Sequence, residues 1–185
     1  EGSLKCWGWN GNGQLGQGST AAIGDSSVEV GGANPFVNLG TGRTVTRFSL
    51  GASHACAILD NNDLKCWGAG GNGRLGYGST ASKGDNANEM GDNLLPIDLG
   101  TGRTAVDVAT GGSHTCALLD DSTVKCWGNG ASGRLGKGNT SSLGDNANEM
   151  GDNLLPIDLG TGRTATKVVA GLDYVCVLLD DSTVK

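Results

Sequence analysis

The chain has 185 residues, with 34 glycines but only 3 prolines, and a formal net charge of −6. Binding to nucleic acid usually leaves a basic footprint, and this acidic balance carries none, so we expect no nucleic-acid partner. No stretch is long and apolar enough to cross a bilayer, so we expect no membrane insertion in this segment. Abundant glycine without a triplet period indicates tight turns between short strands.

The dominant feature is an internal repeat. The tetrapeptide Lys-Cys-Trp-Gly begins at Lys5, Lys65 and Lys125, and residues 84–105 recur unchanged as residues 144–165. Such a period marks a stack or ring of equivalent units, each too small to bury its own apolar face. We therefore expect tandem repeats of about 60 residues, roughly 6–65, 66–125 and 126–185. Residues 1–5 match residues 181–185 in register, which suggests an excerpt of a longer polypeptide, cut within a repeat at both ends.

Residues 53–68 predict a β-hairpin. Apolar residues alternate with period two on both sides of a polar Asp-Asn-Asn centre. Folding about Asn61 places Cys56 opposite Cys66 and Ile58 opposite Leu64. Because both faces are apolar, the hairpin belongs inside a stack of sheets. The side chains expected to be buried between sheets are Trp7, Trp67 and Trp127, with Leu15, Leu75 and Leu135 beside them.

Downstream of the hairpin lie turns, a polar loop and one further strand. Residues 68–78 form a glycine-rich turn, residues 84–93 a polar loop, and residues 105–109 alternate as a strand. No segment shows a helical period. Each unit therefore offers three or four short strands.

The order Gly-x-x-His-x-Cys-Ala-Leu-Leu-Asp, Val-Lys-Cys-Trp-Gly and Gly-x-Leu-Gly-x-Gly resembles the repeat of the regulator of chromosome condensation family, in a secreted, cysteine-paired form. The resemblance implies an all-β fold of repeated four-stranded antiparallel blades, part of a β-propeller or propeller-like array. Sixty residues exceed that family's usual repeat, and the extra length lies in the polar loop. Three repeats are too few to close a ring, so we expect further blades or copies of the chain as partners.

The cysteines fall into facing pairs. Cys56 with Cys66, and Cys116 with Cys126, are predicted cross-strand disulfides, although small buried thiols are the alternative. Cys6 and Cys176 are halves of the same pair. Residues 1–6 and 174–180 are each predicted as one strand of a hairpin that is completed elsewhere, so Cys6 and Cys176 are each expected to bond a cysteine outside this interval.

The polar loop is the candidate metal site. Carboxylate and amide oxygens on a glycine-flanked loop suit Ca²⁺. The candidate ligands are Asp85, Asn88, Glu89 and Asp92 in one copy and Asp145, Asn148, Glu149 and Asp152 in the other. The competing interpretation, which we favour, is a turn-rich loop whose side chains cap backbone amides, with no cofactor. The sequon at Asn139 is a candidate glycosylation site.

No residue has the features of a catalytic specialist, and we expect no enzymatic activity. His54 and His114 lie beside hairpin cysteines, and the third copy has Tyr174 instead, so packed structural histidines are the better interpretation. The paired cysteines favour an extracellular or cell-surface location. The leading function is a non-catalytic repeat module with a structural, adhesive or self-assembling role, including filaments, that contacts extracellular proteins or glycans. The alternatives are a discrete protein-binding or inhibitory propeller and, least favoured, guanine-nucleotide exchange on a small GTPase.

Overall fold

The computed structural model describes residues 2–29 and 31–185, and its regular structure is antiparallel β-sheet. The strands are β1 Val45–Leu50, β2 His54–Leu59, β3 Leu64–Gly68, β4 Ala105–Thr110, β5 His114–Leu119, β6 Val124–Gly128, β7 Ala165–Ala170 and β8 Val175–Leu179. Short 3-10 turns occupy Gly31–Ala33, Gly71–Gly73, Gly91–Asn93, Ala131–Gly133 and Gly151–Asn153. Within the described ranges, no helix is long and apolar enough to cross a membrane.

The strands form consecutive small sheets that we name as blades. Blade II is β1-β2-β3, blade III is β4-β5-β6, and blade IV is β7-β8. Blade I is the segment of residues 2–8, bridged at Gly8 to Ile23. Each sheet is built from strands that are consecutive in the sequence. The all-β prediction is confirmed.

The hairpin register is the one that the apolar alternation predicts. Cys56 pairs with Cys66 and Ile58 with Leu64, and blade III repeats this pairing one period later. Every residue of β2 and β3 is buried, as expected for a hairpin that is apolar on both faces. Burial on both faces requires a neighbouring sheet on each side.

The cores lie between blades rather than within them. One face of blade II, including Ile58 and Leu64, packs with Leu119 and Trp127 of blade III. Its other face, including Leu59 and Trp67, packs against Leu15, which follows blade I. The face of blade III that carries Leu118 and Val124, the equivalents of Ile58 and Leu64, packs against blade IV. Each blade therefore depends on its neighbours for most of its apolar burial.

In blades II and III, a single β-bridge stands where the fourth strand is expected. Gly68 exchanges two backbone hydrogen bonds with Lys83, at 2.7 and 3.0 Å, and Gly128 does so with Leu143. The residues that precede these partners are Thr80-Ala-Ser and Thr140-Ser-Ser, which offer little apolar surface to hold a longer strand. Blades II and III thus have three strands and a bridge where four strands are expected.

The first strand of blades II, III and IV carries a bulge at the same place. In blade II, Val45 pairs with Leu59 and Arg47 with Ile58, so Thr46 is left over. The register shifts identically between Ala105 and Asp107 and between Ala165 and Lys167. The Thr46 hydroxyl donates a 3.0 Å hydrogen bond to the Ile58 carbonyl, so the side chain of the additional residue bonds to the neighbouring strand.

The two predicted terminal strands have different outcomes. β8 confirms the strand expected over residues 174–180, and it pairs with β7. Residues 2–6 are not assigned as a strand in the described structure, and their expected pairing with a strand outside this interval stays a prediction; Glu1 lies outside the described residues. Residues 2–8 are held by single backbone bonds from Val45 N to the Gly2 carbonyl and from Val37 N to the Leu4 carbonyl, and by the bridge between Gly8 and Ile23.

The three repeated tryptophans do not share one environment. Trp67 and Trp127 are fully buried, with Leu15, Leu75 and Leu135 also buried, as predicted. Trp7 is 69% exposed, so its predicted burial is wrong. The reason is geometric: the turn that precedes a blade covers its tryptophan, and no described residue occupies that place over Trp7.

This contrast gives a stability prediction with an internal control. Trp127→Ala removes a fully buried indole between two blades and should lower the free energy of unfolding by about 3–5 kcal/mol. Trp7→Ala removes an exposed indole at the equivalent position and should change it by less than about 0.5 kcal/mol. Urea unfolding followed by circular dichroism measures both. Equal losses in the two variants would contradict the proposed packing.

Candidate functional site: the loops and clefts between blades

A buried lysine ties the loops on either side of each complete blade. The Nζ of Lys65 donates hydrogen bonds to the Leu39 carbonyl at 2.8 Å and the Gly91 carbonyl at 3.0 Å. Lys125 makes the equivalent pair of bonds one period later, at the same distances. Burial lowers the pKa of Lys65, while the nearby carboxylates of Asp63 and Asp92 act in the opposite direction. We call this arrangement the lysine clamp.

The polar loops, residues 84–93 and 144–153, are named rim loop 1 and rim loop 2. Asp92 of rim loop 1 accepts hydrogen bonds from the Thr41 backbone N–H at 2.9 Å and from its hydroxyl at 2.6 Å. Asp152 accepts the same bonds from Thr101. The Thr41 hydroxyl and then its N–H hold the pKa of Asp92 below its ordinary value. Each rim loop is thereby fixed to the turn before the preceding blade.

The glutamate of each rim loop caps backbone amides. Glu89 Oε2 accepts hydrogen bonds from the N–H groups of Gly84 at 3.0 Å and Asn86 at 3.1 Å. Burial opposes ionisation of Glu89, but these amides and the adjacent Asp85 outweigh it, so the pKa of Glu89 is lowered. Burial and the Glu89 charge raise the pKa of Asp85. The favoured capping interpretation of this loop is therefore what the geometry displays.

The predicted calcium ligands are not gathered into one shell. Asp92 faces Thr41 and Glu89 faces backbone amides, while Asn88 is exposed at the loop surface. Across residues 2–29 and 31–185, no group of three or more acidic, histidine or cysteine side chains is placed to hold a metal ion. Rim loop 2 repeats the arrangement with Asp145, Asn148, Glu149 and Asp152. Calcium binding stays a prediction that this arrangement of side chains does not support.

The structure contains both predicted cross-strand disulfides. Cys56 is bonded to Cys66 and Cys116 to Cys126, each with a Cα–Cα distance of 4.1 Å. All four sulfurs belong to fully buried residues. Cys6 and Cys176 are free thiols in the described structure, and their bonding to cysteines outside the interval stays a prediction.

The two histidines are buried, but only one has a partner. His54 Nε2 lies 2.9 Å from the Thr115 hydroxyl, which itself donates to the Arg74 carbonyl. Neither ring nitrogen of His114 has a hydrogen-bond partner, because Val175, which has no hydroxyl, stands at the position equivalent to Thr115. Burial, then the charge of Arg74, lowers the pKa of His54 to about 3. Both imidazoles are buried in the packing between strands, which agrees with a structural role for these histidines.

Between adjacent blades the rim loops form two equivalent clefts. Cleft A has a volume of about 560 Å³ and is lined by Gly16, Gln17, Gly18, Phe36, Asn38, Ala87, Asn88, Met90, Asp92 and Asn93. Cleft B has a volume of about 700 Å³ and is lined by Gly76, Tyr77, Gly78, Leu95, Pro96, Asp98, Ala147, Asn148, Met150, Asp152 and Asn153. Sequence reasoning predicted neither the clefts nor the lysine clamp. The recurrence of lysine in each tetrapeptide is the one sequence signal from which the clamp could have been found.

The predicted glycosylation site lies at an accessible turn. Asn139 is exposed, and its Oδ1 accepts a hydrogen bond from the Ser141 N–H at 3.0 Å. The side chain is therefore at the surface.

Stacked antiparallel sheets, apolar on both faces and joined by equivalent loops, define a β-propeller repeat segment. The family model described as "Regulator of chromosome condensation (RCC1) repeat" matches residues 1–58 and 64–118, and a second model with that description matches 45–74 and 105–134. The chain belongs to the regulator of chromosome condensation repeat family. Members of this family generally serve as binding or exchange-factor modules rather than catalysts.

Curated relatives are much longer than this chain. The E3 ubiquitin-protein ligase HERC2 of Homo sapiens is 28% identical over 188 residues, which cover 100% of this chain and 3% of that protein. The Ultraviolet-B receptor UVR8 of Arabidopsis thaliana is 30% identical over 135 residues, covering 71% of this chain and 26% of the receptor. The chain thus spans a small part of the curated proteins that it matches.

Solved structures show the same fold. Yeast RCC1 (Prp20) bound to Kap60 superposes with a TM-score of 0.67 at 17% identity, covering 99% of this chain and 39% of that one. Prp20p from Saccharomyces cerevisiae, described with its binding to Gsp1p and histones, gives a TM-score of 0.62 at 17% identity, with 95% and 39% covered. At this identity the likeness establishes the fold alone.

The lysine clamp yields a second stability prediction. Lys65→Met keeps the aliphatic stem but leaves the carbonyls of Leu39 and Gly91 without their donor, so unfolding free energy should fall by about 2 kcal/mol. Lys167→Met, at an exposed position on β7, should change it by less than about 0.5 kcal/mol. Denaturant unfolding of the two variants measures the difference. A Lys65→Met protein as stable as the parent would rule out an energetic role for the clamp.

Buried His54 should make stability depend on pH. The unfolded histidine takes up a proton near pH 6.5, whereas the folded one does so only near pH 3. The unfolded state therefore binds more protons as pH falls, and this group should remove about 2 kcal/mol of stability between pH 6.5 and 5. His54→Gln should flatten that part of the slope in urea unfolding at the two pH values.

Thr115→Val is the matched control for this experiment. It removes the hydroxyl partner of His54 but leaves the buried imidazole, as at His114, so the pH dependence should persist. An unchanged slope in His54→Gln would contradict the role assigned to burial.

Proposed function

We propose that this chain is a non-catalytic extracellular or cell-surface repeat module with a structural, adhesive or self-assembling role. Its blades present equivalent loops to proteins, to surfaces or to further copies of the chain. The proposed partners are therefore further blades or copies of itself and other extracellular proteins or glycans. No cofactor is part of this proposal.

One observation carries the proposal: the same surface is displayed twice at the same place. Rim loops 1 and 2 have identical sequences, are fixed by identical Asp–Thr and lysine-clamp bonds, and flank equivalent clefts. Next to each rim loop an apolar side chain stands in solvent, Leu95 at 66% and Leu155 at 68% exposure. A surface that is copied in register suits a partner that is contacted repeatedly.

The relatives support a protein-binding role. Structures of yeast RCC1 describe its complex with Kap60 and its binding to Gsp1p and histones. Those partners belong to those proteins. What extends to this chain by family membership is the proposal that its exposed loops bind proteins.

The cysteines support the proposed location. Disulfides persist in oxidising compartments and are rare in the cytosol, and this chain places one buried pair in each complete blade. The exposed sequon at Asn139 agrees with passage through the secretory pathway. Both arguments concern compartment and leave the identity of the partner open.

The alternative is a discrete protein-binding or inhibitory propeller, favoured by the fold likeness to yeast RCC1 (Prp20), which was solved in complex with Kap60. Guanine-nucleotide exchange on a small GTPase is the third candidate. It is least favoured, because paired cysteines fit poorly with a nuclear protein.

Two measurements on the native protein test the proposal. Mass spectrometry of non-reduced peptides should find Cys56 linked to Cys66, Cys116 linked to Cys126, and a glycan on Asn139. Electron microscopy should show filaments or extended assemblies. Isolated closed rings would favour the discrete binder, and reduced cysteines in a cytosolic or nuclear fraction would contradict the extracellular location.

A further inference from the structure

One wall is built from the same residue types in clefts A and B, and the opposite wall differs between them; we call the first the shared wall. The shared wall comes from the rim loops, Ala87, Asn88, Met90, Asp92 and Asn93 in cleft A and Ala147, Asn148, Met150, Asp152 and Asn153 in cleft B. The opposite wall carries Gln17 and Phe36 in cleft A but Tyr77 and Pro96 in cleft B. Both volumes fall within the range typical of small-ligand sites. A ligand group that contacts this wall would therefore meet the same side chains in both clefts.

The shared wall offers uncommitted amides. Asn88 and Asn148 have φ values of 66° and 65°, a left-handed conformation that favours asparagine or glycine over other residues. Both side chains are exposed, and neither makes a hydrogen bond within the described structure. An amide both donates and accepts, which matches a hydroxyl group, since a hydroxyl also does both.

The carboxylates of the clefts are already engaged. Asp92 and Asp152 each accept two hydrogen bonds from a threonine. Asp98 of cleft B accepts a hydrogen bond from the Gly100 N–H at 2.9 Å. The asparagine at its position in cleft A, Asn38, accepts the same bond from Gly40. These bonds hold the carboxylates in place along the clefts, while the amides of Asn88 and Asn148 stay available to a ligand.

Apolar groups complete each cleft. Cleft A includes Met90 and the Phe36 ring, which is 58% exposed and has the Lys5 ammonium 4.7 Å from its centroid. Cleft B includes Met150 with Leu95 and Pro96. Free amides beside an exposed apolar patch suit a molecule that has hydroxyl groups on its edge and C–H groups on its face.

We propose that clefts A and B are binding sites for neutral glycan residues, one per cleft, with Asn88 and Asn148 as the hydroxyl-binding amides. This inference rests on the proposed non-catalytic binding role and gives it a ligand class and a location. Two sites on one rigid rim would bind a branched or repeating glycan more tightly than a single residue, because the second contact is intramolecular.

The test uses the full protein and three defined probes: N,N′-diacetylchitobiose, cellobiose and lactose. Saturation-transfer NMR should detect at least one of them, and calorimetry should find two sites per copy of this segment. Asn88→Gly or Asn148→Gly removes an amide without straining the left-handed backbone, so either variant should weaken binding at its own cleft at least tenfold and halve the number of sites detected. The double variant should weaken binding at both clefts to the same extent.

Asn62→Gly is the matched control, because Asn62 has a φ of 66° but lies in the β2–β3 turn, outside both clefts. It should bind as the parent does. No binding of any probe at about 10 mM, or full binding by the double variant, would overturn the proposal. Binding of a lysine-rich peptide in the clefts in place of the sugars would also overturn it. Either result, with assemblies still seen by microscopy, would leave the proposed module role standing.

Discussion

The structure depends on one contact at the boundaries between blades I and II and between blades II and III: an indole from one blade packed against the chain that follows the blade before it. Trp67 donates a hydrogen bond to the Gln14 carbonyl at 3.0 Å, and Trp127 donates one to the Arg74 carbonyl at 3.1 Å. The carbonyl belongs to the glycine turn of the preceding unit, and a Cβ on Gly76 would lie 2.7 Å from the Trp127 ring nitrogen. Glycine is required there because the turn and the indole approach so closely. The blades are therefore joined by apolar burial and a polar bond at the same place.

Around that contact, a few side chains hydrogen-bond to the backbone of the loops. The lysine clamp donates to two carbonyls, and the rim-loop glutamate accepts from backbone amides. The rim-loop aspartate accepts from a threonine in the turn before the blade. Buried backbone groups without partners are strongly unfavourable, so loops of this length are ordered only because such bonds exist. The carboxylates that look like metal ligands in the sequence are used in this way, and the surface that remains free is rich in amides.

Much of the fold followed from residue patterns alone. Period-two alternation about Asn61 predicted the register of β2 and β3 and the disulfide between them, because the bonded cysteines lie only 10 residues apart in one hairpin. Contacts between distant residues could not be predicted: the Lys65 clamp reaches 26 residues along the chain, and the indole bond 53. The exposure of Trp7 could not be read from its repeat either, because burial depends on what a neighbouring blade supplies. The clefts share this origin, since their two walls come from different repeats.

The bulge in each first strand has a consequence for shape. One additional residue, Thr46 in blade II, lengthens that strand against its partner and increases its local right-handed twist. Because blades II, III and IV carry it at the same register, the same additional local twist is built into each of these three sheets. The deformation is therefore repeated with the period of the sequence, whatever number of blades an assembly contains.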